Sequence, residues 1–472
     1  MTLNQDQFID SPQRLASSCE RRIGLTRLTE TTIEEGPDAL MDKSFNYLIT
    51  EFVDNFEIHE SLDASFRTAT IIMSDPINWR NVAPLTGNEI ISIAYKNALT
   101  ASDSKEKILH FRVLNVREEP TNNSLESGYK RLIINLVEFP AFNFLTSNQY
   151  YKTYNIDADN TPNLKLSDIV GDMLDNIKHF KKWYDVDIEE STKNSIHFYV
   201  PNWIPLKVIN YCKKYAVSDI KKYSNYVFHI GNVPNNPKPV AYFKPVFSFI
   251  DKYNKFRAYG TSFQDVNKDD IIQANTPEYG PLDVIQTYSF QYYDARKTNT
   301  FSGNTEFIFD YIDDNEYICT DYKNFIERNY KSINPYIMYP SAYGNQWSSF
   351  YRSAWNKKEG EILIKNELFN EYSRNIINGG LYCEAMTSIF EGRTVGERAE
   401  LIFNIKDTDK EFDEMLSGGW LTWSIEDRFV MGKCFSSVKF VNDSFVNISD
   451  PSHTMKAINT ITTDRSPDTI EA

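Results

Sequence analysis

Nucleophilic or metal-assisted chemistry in this chain would have to come from six histidines and five cysteines. His59, His110, His179, His197, His229 and His453 never stand at the i, i+4 spacing that lets two imidazoles share a metal on one helix face, and no H-E-x-x-H motif occurs. Cys19, Cys212, Cys319, Cys383 and Cys434 are odd in number and far apart. They lack the close C-x-x-C pairs of a zinc site and the dense even set of a disulfide framework, so they read as ordinary thiols, mostly buried. Asp157-Ala-Asp159 and Asp407-Thr-Asp409 begin like calcium loops. Pro162 and Phe412 stand where such a loop needs glycine, and both segments read as solvated turns. Gly392-Arg-Thr-Val-Gly396 lacks the lysine and the helix of a phosphate-binding loop, and no Gly-x-Ser-x-Gly elbow is present. The paired carboxylates of a glycoside hydrolase leave no local signature. With 65 acidic residues in the chain, a wall-degrading enzyme stays open as an alternative. No residue is assigned a catalytic, cofactor-binding or metal-binding role.

The aromatic complement is the other candidate source of function: 7 Trp, 29 Tyr and 31 Phe. Most of these fill cores. Trp347, Tyr351 and Trp355, in a polar loop-like stretch, are the candidates for a subunit interface, where Trp and Tyr are enriched. A peripheral carbohydrate-binding module, with the Tyr- and Trp-rich middle as its binding surface, is a further alternative.

The elements that must position these residues follow from length, charge and period. At ~150 residues per domain, 472 residues give about three domains. Fifty basic against 65 acidic side chains leave a net charge of −15, which disfavours stable binding to phosphates or anionic lipid. No apolar run approaches the ~20 residues of a membrane span, so no membrane insertion is expected. The opening Met1-Thr-Leu-Asn-Gln lacks the basic and apolar regions of a signal peptide, which points to synthesis in a cytoplasm-like compartment.

Residues 1–45 are polar and poorly periodic and read as an N-terminal extension. From 46 to 150 the period is two. Phe66, Thr68, Thr70 and Ile72 share one face, Leu109, Phe111 and Val113 another, and Leu132, Ile134 and Leu136 a third. Strands at this spacing indicate an antiparallel barrel or sandwich. Residues 151–225 read as an α+β domain. One helix places Ile169, Met173, Ile177 and Phe180 on one face with Ser167 as its N-cap, and a second helix has Pro205 in its first turn. Strand character returns at 226–250 and 380–446. The intervening 251–379 is a Tyr-rich insertion with a helix expected at Asp321–Tyr330, and 447–472 is a polar tail. The fold class is α+β, mainly β.

Pro201-Asn202-Trp203-Ile204-Pro205, followed by Ile209-Asn210 on a helix, resembles the central hub protein of contractile-tailed bacteriophage baseplates. The flanks agree. Glu60-Ser-Leu-Asp-Ala-Ser-Phe-Arg-Thr68 is similar to that family's opening strand and turn, and Leu85-Thr-Gly-Asn-Glu89 to the start of its next strand. Leu166-Ser-Asp-Ile-Val170 looks like its first helix. Gly392-Arg-Thr-Val-Gly-Glu-Arg398 and Leu416-Ser-Gly-Gly-Trp-Leu-Thr-Trp423 resemble its closing strands. The resemblance spans 46–250 and 380–446.

It implies two tail-tube-like antiparallel β-barrels per chain, the second assembled from 226–250 and 380–446, with smaller α+β insertions. It also implies a homotrimer that joins a hexameric tail tube, or tube-initiator proteins, to a trimeric cell-puncturing spike. DNA would pass through without stable binding, and baseplate wedge and tape-measure proteins would be neighbours. The implied location is the virion tail baseplate, assembled in the host cytoplasm. The family carries no catalytic residues.

Overall fold

The computed structural model describes most of 19–27, 47–75, 85–97, 106–154, 164–250 and 380–445, together with strands within 256–353 and helical positions between 363 and 377. The dominant element is a 14-stranded sheet. Its first half is built from β1 (Cys19–Arg27), β2 (Tyr47–Leu48), β3 (Val53–Ser61), β4 (Thr68–Asp75), β5 (Glu89–Asn97), β6 (Lys107–Pro120) and β7 (Lys130–Glu138). Their neighbour order is β3-β4-β7-β6-β5-β1-β2. A short turn of helix at Thr50–Phe52 carries β2 into β3, which returns the row to its start. Alternation drives the packing: Ile91 and Ile93, Leu109, Phe111 and Val113, and Leu132, Ile134 and Leu136 all point into one shared core.

Two sequence expectations are corrected in this half. Cys19–Arg27, assigned to an extension, is a full strand paired with β5 over nine residues, with Ile23 and Leu25 buried. The charges of Glu20, Arg21 and Arg22 conceal its short apolar alternation. On β4 the core face is Ala69, Ile71 and Met73 rather than Thr68, Thr70 and Ile72. Arg67 lies in phase with the buried set, and its charge disguises the pattern. Phe66 precedes the strand and packs into a different cluster.

The second half of the sheet uses β13 (Phe256–Gly260), β14 (Leu282–Ile285), β15 (Thr287–Gln291), β20 (Leu381–Thr387), β21 (Arg398–Phe403), β22 (Gly418–Val430) and β23 (Lys433–Asn442). β14 and β15 are separated by Gln286 alone; the first pairs β13 and the second pairs β20. The row β15-β20-β23-β22-β21-β13-β14 therefore closes on itself. Strands β13 to β15 come from the stretch set apart as an insertion, so 251–379 is not wholly outside this barrel.

The neighbour relations of the two halves are the same. β4, β5, β6 and β7 hold the places that β20, β21, β22 and β23 hold, and the β2–β3 ribbon corresponds to β14–β15. The likeness extends to details. A β-bulge interrupts β6 at Leu114 and β22 at Trp423, two strands with corresponding places. Before β5, Glu89 accepts from the backbone N–H of Thr86; before β21, Glu397 accepts from that of Thr394. Two pairings differ: β1 runs antiparallel to β5 and to β2, whereas β13 runs parallel to β21 and to β14.

The halves are joined where the outer part of β22 pairs antiparallel with β3, from Ser424 opposite Ser61 to Val430 opposite Asn55. The β22–β23 hairpin thus serves two cores. Trp420, Val438 and Phe440 fill its own barrel, while Phe429 and Cys434 complete the first, Phe429 stacking on Phe56 with ring centroids 5.3 Å apart.

A third cluster belongs to the α+β part. β11 (Tyr226–Gly231) pairs β12 (Val240–Pro245), which pairs β9 (Asp185–Asp187); β10 (Phe198–Trp203) pairs β8 (Tyr150–Tyr154). Of residues 226–250, expected in the second barrel, β11 and β12 thus form a separate sheet with β9, while Val246, Phe247 and Phe249 pack in the second barrel's cluster. Phe228 and Ile230 face the α+β cluster, and Val227 faces the second barrel. Ser167 is not a cap. Its helix, Leu166–Asn176, is preceded by Lys165, whose N–H bonds Asp168, and Ser167 is buried against Thr192. Separately, β16 (Thr305–Asp310), β17 (Asn315–Asp321) and β19 (Phe350–Ser353) form a three-stranded sheet, and β18 (Tyr336–Ile337) pairs β24 (Ser444–Phe445). The helix expected at Asp321–Tyr330 falls largely outside the described residues.

Candidate functional site

The residues of the sequence fingerprint sit on the α+β part. Pro201 and Asn202 are exposed at the end of β10, and Asn202 adopts a left-handed φ of 57°, a conformation asparagine tolerates. That turn directs Trp203 against Phe198 and Tyr211, with the Lys207 ammonium 4.5 Å from its ring centroid. Pro205 starts the helix Pro205–Tyr215, where its missing N–H is harmless. Ile209 is buried in the α+β cluster, and Asn210 faces out into a cleft of about 430 Å³ shared with Lys213, Asp63 and Arg374. The fingerprint therefore shapes a turn and a helix start. Of the aromatic interface candidates, Tyr351 lies in β19, where it pairs with Ile308; Trp347 and Trp355 lie outside the described residues.

A buried polar cluster at the junction of β3, β4, β7 and β11 carried no local sequence signal. The Arg67 guanidinium, fully excluded from solvent, donates through Nε to Glu60 Oε2 and through Nη1 to Glu138 Oε1, each at 2.8 Å. His229, also fully buried, sets Nε2 3.2 Å from Glu60 Oε1 and Nδ1 3.3 Å from the Ala64 carbonyl. Burial alone would raise the Glu60 carboxyl, but Arg67 and the His229 hydrogen bond overcome it and hold Glu60 well below the usual carboxylate range. Burial dominates at Glu138 and raises it, with Arg67 opposing. Both carboxylates are tied to one cation in a dry site, an arrangement that locks three elements together and gives neither acid nor base an approach to substrate.

A second buried set lies between the barrels. Tyr95 Oη donates to Asp427 Oδ2 at 2.6 Å, Ser436 Oγ to Asp427 Oδ1 at 2.5 Å, and Lys107 Nζ stands 3.8 Å from Asp427. Burial, then the neighbouring Asp427 charge, raises the Tyr95 phenol well above its ordinary value. Arg393 reaches Thr387 Oγ1 at 2.7 Å, and burial lowers its guanidinium to about 10. Cys212, Cys383 and Cys434 are buried thiols outside any disulfide, and burial raises Cys212 and Cys383. Among the described residues no group of His, Cys, Asp and Glu has the arrangement of a metal site. No helix among them is long and apolar enough to cross a membrane.

What the geometry does present is sheet edge. β6 pairs β7 from Phe111 to Pro120, but β5 covers its other side only from Lys107 to Arg112. From Leu114 onward that side has no partner strand among the described residues, and Leu114 and Val116 are 44% and 39% exposed. A strand in this state is a surface for pairing with another chain.

No known family profile matches the chain, and no curated protein matches it in sequence. Among solved structures, the tail protein from Neisseria meningitidis MC58 aligns over 90% of this chain and 97% of its own at 9% identity, with a TM-score of 0.50. The 43 kDa tail protein of prophage MuSo2 from Shewanella oneidensis aligns over 90% and 100% at 11% identity, with a TM-score of 0.51. The fold that this chain shares with these two tail proteins is α+β and mainly β. Both neighbours are tail proteins, and the resemblance at Pro201–Asn210 and its flanks had pointed to a fold of that kind.

Proposed function

We propose that this chain is a structural virion protein of the tail baseplate, the hub that joins a hexameric tail tube to a trimeric spike. The observation that supports this most directly is the repeated strand order. A chain with two barrels of like topology offers two wall segments, so three copies supply six and can match a six-fold tube above and a three-fold spike below. The homotrimer would line part of the DNA passage, with the spike, tube or tube-initiator proteins as direct partners and wedge and tape-measure proteins alongside. The role is assembly rather than turnover; the buried carboxylates Glu60 and Glu138 serve as ties to Arg67. The test is the mass of the full chain co-expressed with its spike partner. Three copies per assembly are expected, with no release of fragments from bacterial cell wall. A stable complex of another stoichiometry overturns the reading.

A further inference from the structure

The two barrels meet within the chain through one defined contact, β22 on β3, and the repeat places the same two surfaces, uncovered, elsewhere on the molecule. Alignment on the shared bulge makes the correspondence exact to the residue. Trp423 matches Leu114, Ile425 matches Val116, and Glu426, Asp427 and Arg428 match Arg117, Glu118 and Glu119. On the accepting side, His59 faces Thr68 in the first barrel and Gln291 faces Tyr382 in the second, and Thr68 and Tyr382 face Val137 and Val441 in turn. His59, Ile58 and Glu57 therefore match Gln291, Phe290 and Ser289.

The matched strands differ in what pairs along their outer edges. Trp423 and Ile425 are each 3% exposed, packed in the second barrel's core, and from Ser424 onward the outer edge of β22 is taken by β3. Leu114 and Val116, their counterparts, are in the open. β15 is likewise paired on one side only, by β20, among the described residues, and Ser289 is exposed. β3, its counterpart, has β4 on one side and β22 on the other. One chain thus carries a donor edge and an acceptor edge whose equivalents are already joined inside it. They cannot be the same contact in one copy, since β6 and β15 belong to barrels that already meet through β22 and β3.

The geometry points to a second copy of this chain as the occupant: the outer part of β6 adds antiparallel to β15 of a neighbouring copy, with Arg117 opposite Gln291, Glu118 opposite Phe290 and Glu119 opposite Ser289. This rests on the hub reading and specifies its subunit contact. Barrels of the two kinds then alternate, each junction repeating the relation between β22 and β3. Because the contact is head-to-tail, it ends only when the ring closes.

The test uses the full chain assembled with its spike partner. Residues directly opposite in an antiparallel pair have Cα atoms about 4.5–5.5 Å apart, within disulfide range. Arg117→Cys with Gln291→Cys should, on oxidation, give a covalent three-chain species that reductant dissolves. Each single variant, and Arg117→Cys with Ser289→Cys, should not. A three-copy assembly in which the first pair fails to link, or in which the shifted pair links equally, overturns this contact and leaves the hub reading standing. An assembly of another stoichiometry overturns both. As an independent measure, Val116→Lys should leave the melting temperature of the isolated chain unchanged and abolish the three-copy assembly; unimpaired assembly would overturn the contact.

Discussion

Tyr95 Oη and Asp427 Oδ2 lie 2.6 Å apart although 332 residues separate them in the chain. The bond fastens β5 of the first barrel to the hairpin of the second, in a site sealed from water. Tyr95→Phe should cost about 1–2 kcal/mol, because Asp427 keeps Ser436 and Lys107. Asp427→Ala should cost more, about 3 kcal/mol, since it strands the Tyr95 hydroxyl and the buried Lys107 ammonium. Urea unfolding of the two single variants and the double variant gives the coupling, which should be non-additive.

Arg67 is the hinge of a larger set. Arg67→Met leaves Glu60 and Glu138 buried without a counter-charge and should destabilise by about 3–5 kcal/mol. Adding Glu60→Gln and Glu138→Gln should recover part of that loss. The pH response follows from opposite shifts. Glu60, lowered in the fold, contributes stability that is lost as pH falls below its unfolded value of about 4.3; Glu138, raised, contributes in the other sense. Glu138→Gln should therefore steepen the loss of stability with acid, measured as melting temperature from pH 6 to pH 3.

His110 is a cleaner titration. It sits on β6 with Nδ1 2.8 Å from Ser92 Oγ and its ring edge-on to Trp183, and burial lowers it to about 4. The folded chain keeps this imidazole neutral while the unfolded chain protonates near pH 6.5, so stability falls as pH drops from about 6.5 to 4. The loss should reach about 3 kcal/mol, and His110→Gln should flatten that part of the curve.

Two glycines in the corresponding turns discriminate strain from crowding. Gly87 and Gly396 share a φ of +89°, but a Cβ at Gly87 meets nothing within 4 Å, whereas one at Gly396 falls 2.8 Å from the Phe249 ring. Gly87→Ala should cost about 1 kcal/mol, the left-handed penalty alone, and Gly396→Ala clearly more, in the same denaturation assay.

An assembly of three such chains would carry three times a net charge of −15. Fluorescence anisotropy with labelled duplex DNA at physiological ionic strength should show no salt-sensitive complex tighter than about 1 μM. Passage of DNA requires that phosphates not be held.

Periodicity revealed the strands whose core residues alternate without a break, such as β7, with Leu132, Ile134 and Leu136 inward. It misread β4 because buried Arg67 occupies a core position, and only the distant Glu60 and Glu138 make that position tolerable. It passed over β1 because only Ile23 and Leu25 mark its core face, between charged neighbours. The pairing of β11 and β12 with β9 was hidden for another reason: all six residues of β11 are buried, so no alternation shows which sheet it joins. The buried clusters were illegible because their members meet only in three dimensions. His229 lies 169 residues from Glu60.

The hairpin that serves both cores also sets a timetable for synthesis. Strands β1 to β7 have all been made once Glu138 is added, yet the core they enclose lacks Phe429 and Cys434 until almost 300 residues later. At about 5–20 residues per second, the first barrel waits on the order of tens of seconds on the ribosome with its Phe56 face unsealed. A chain broken off in that interval carries the pairing edge of β6 without a finished barrel behind it. Completion of the first barrel is thereby tied to synthesis of the β22–β23 hairpin, and products truncated before it lack the residues that seal that core.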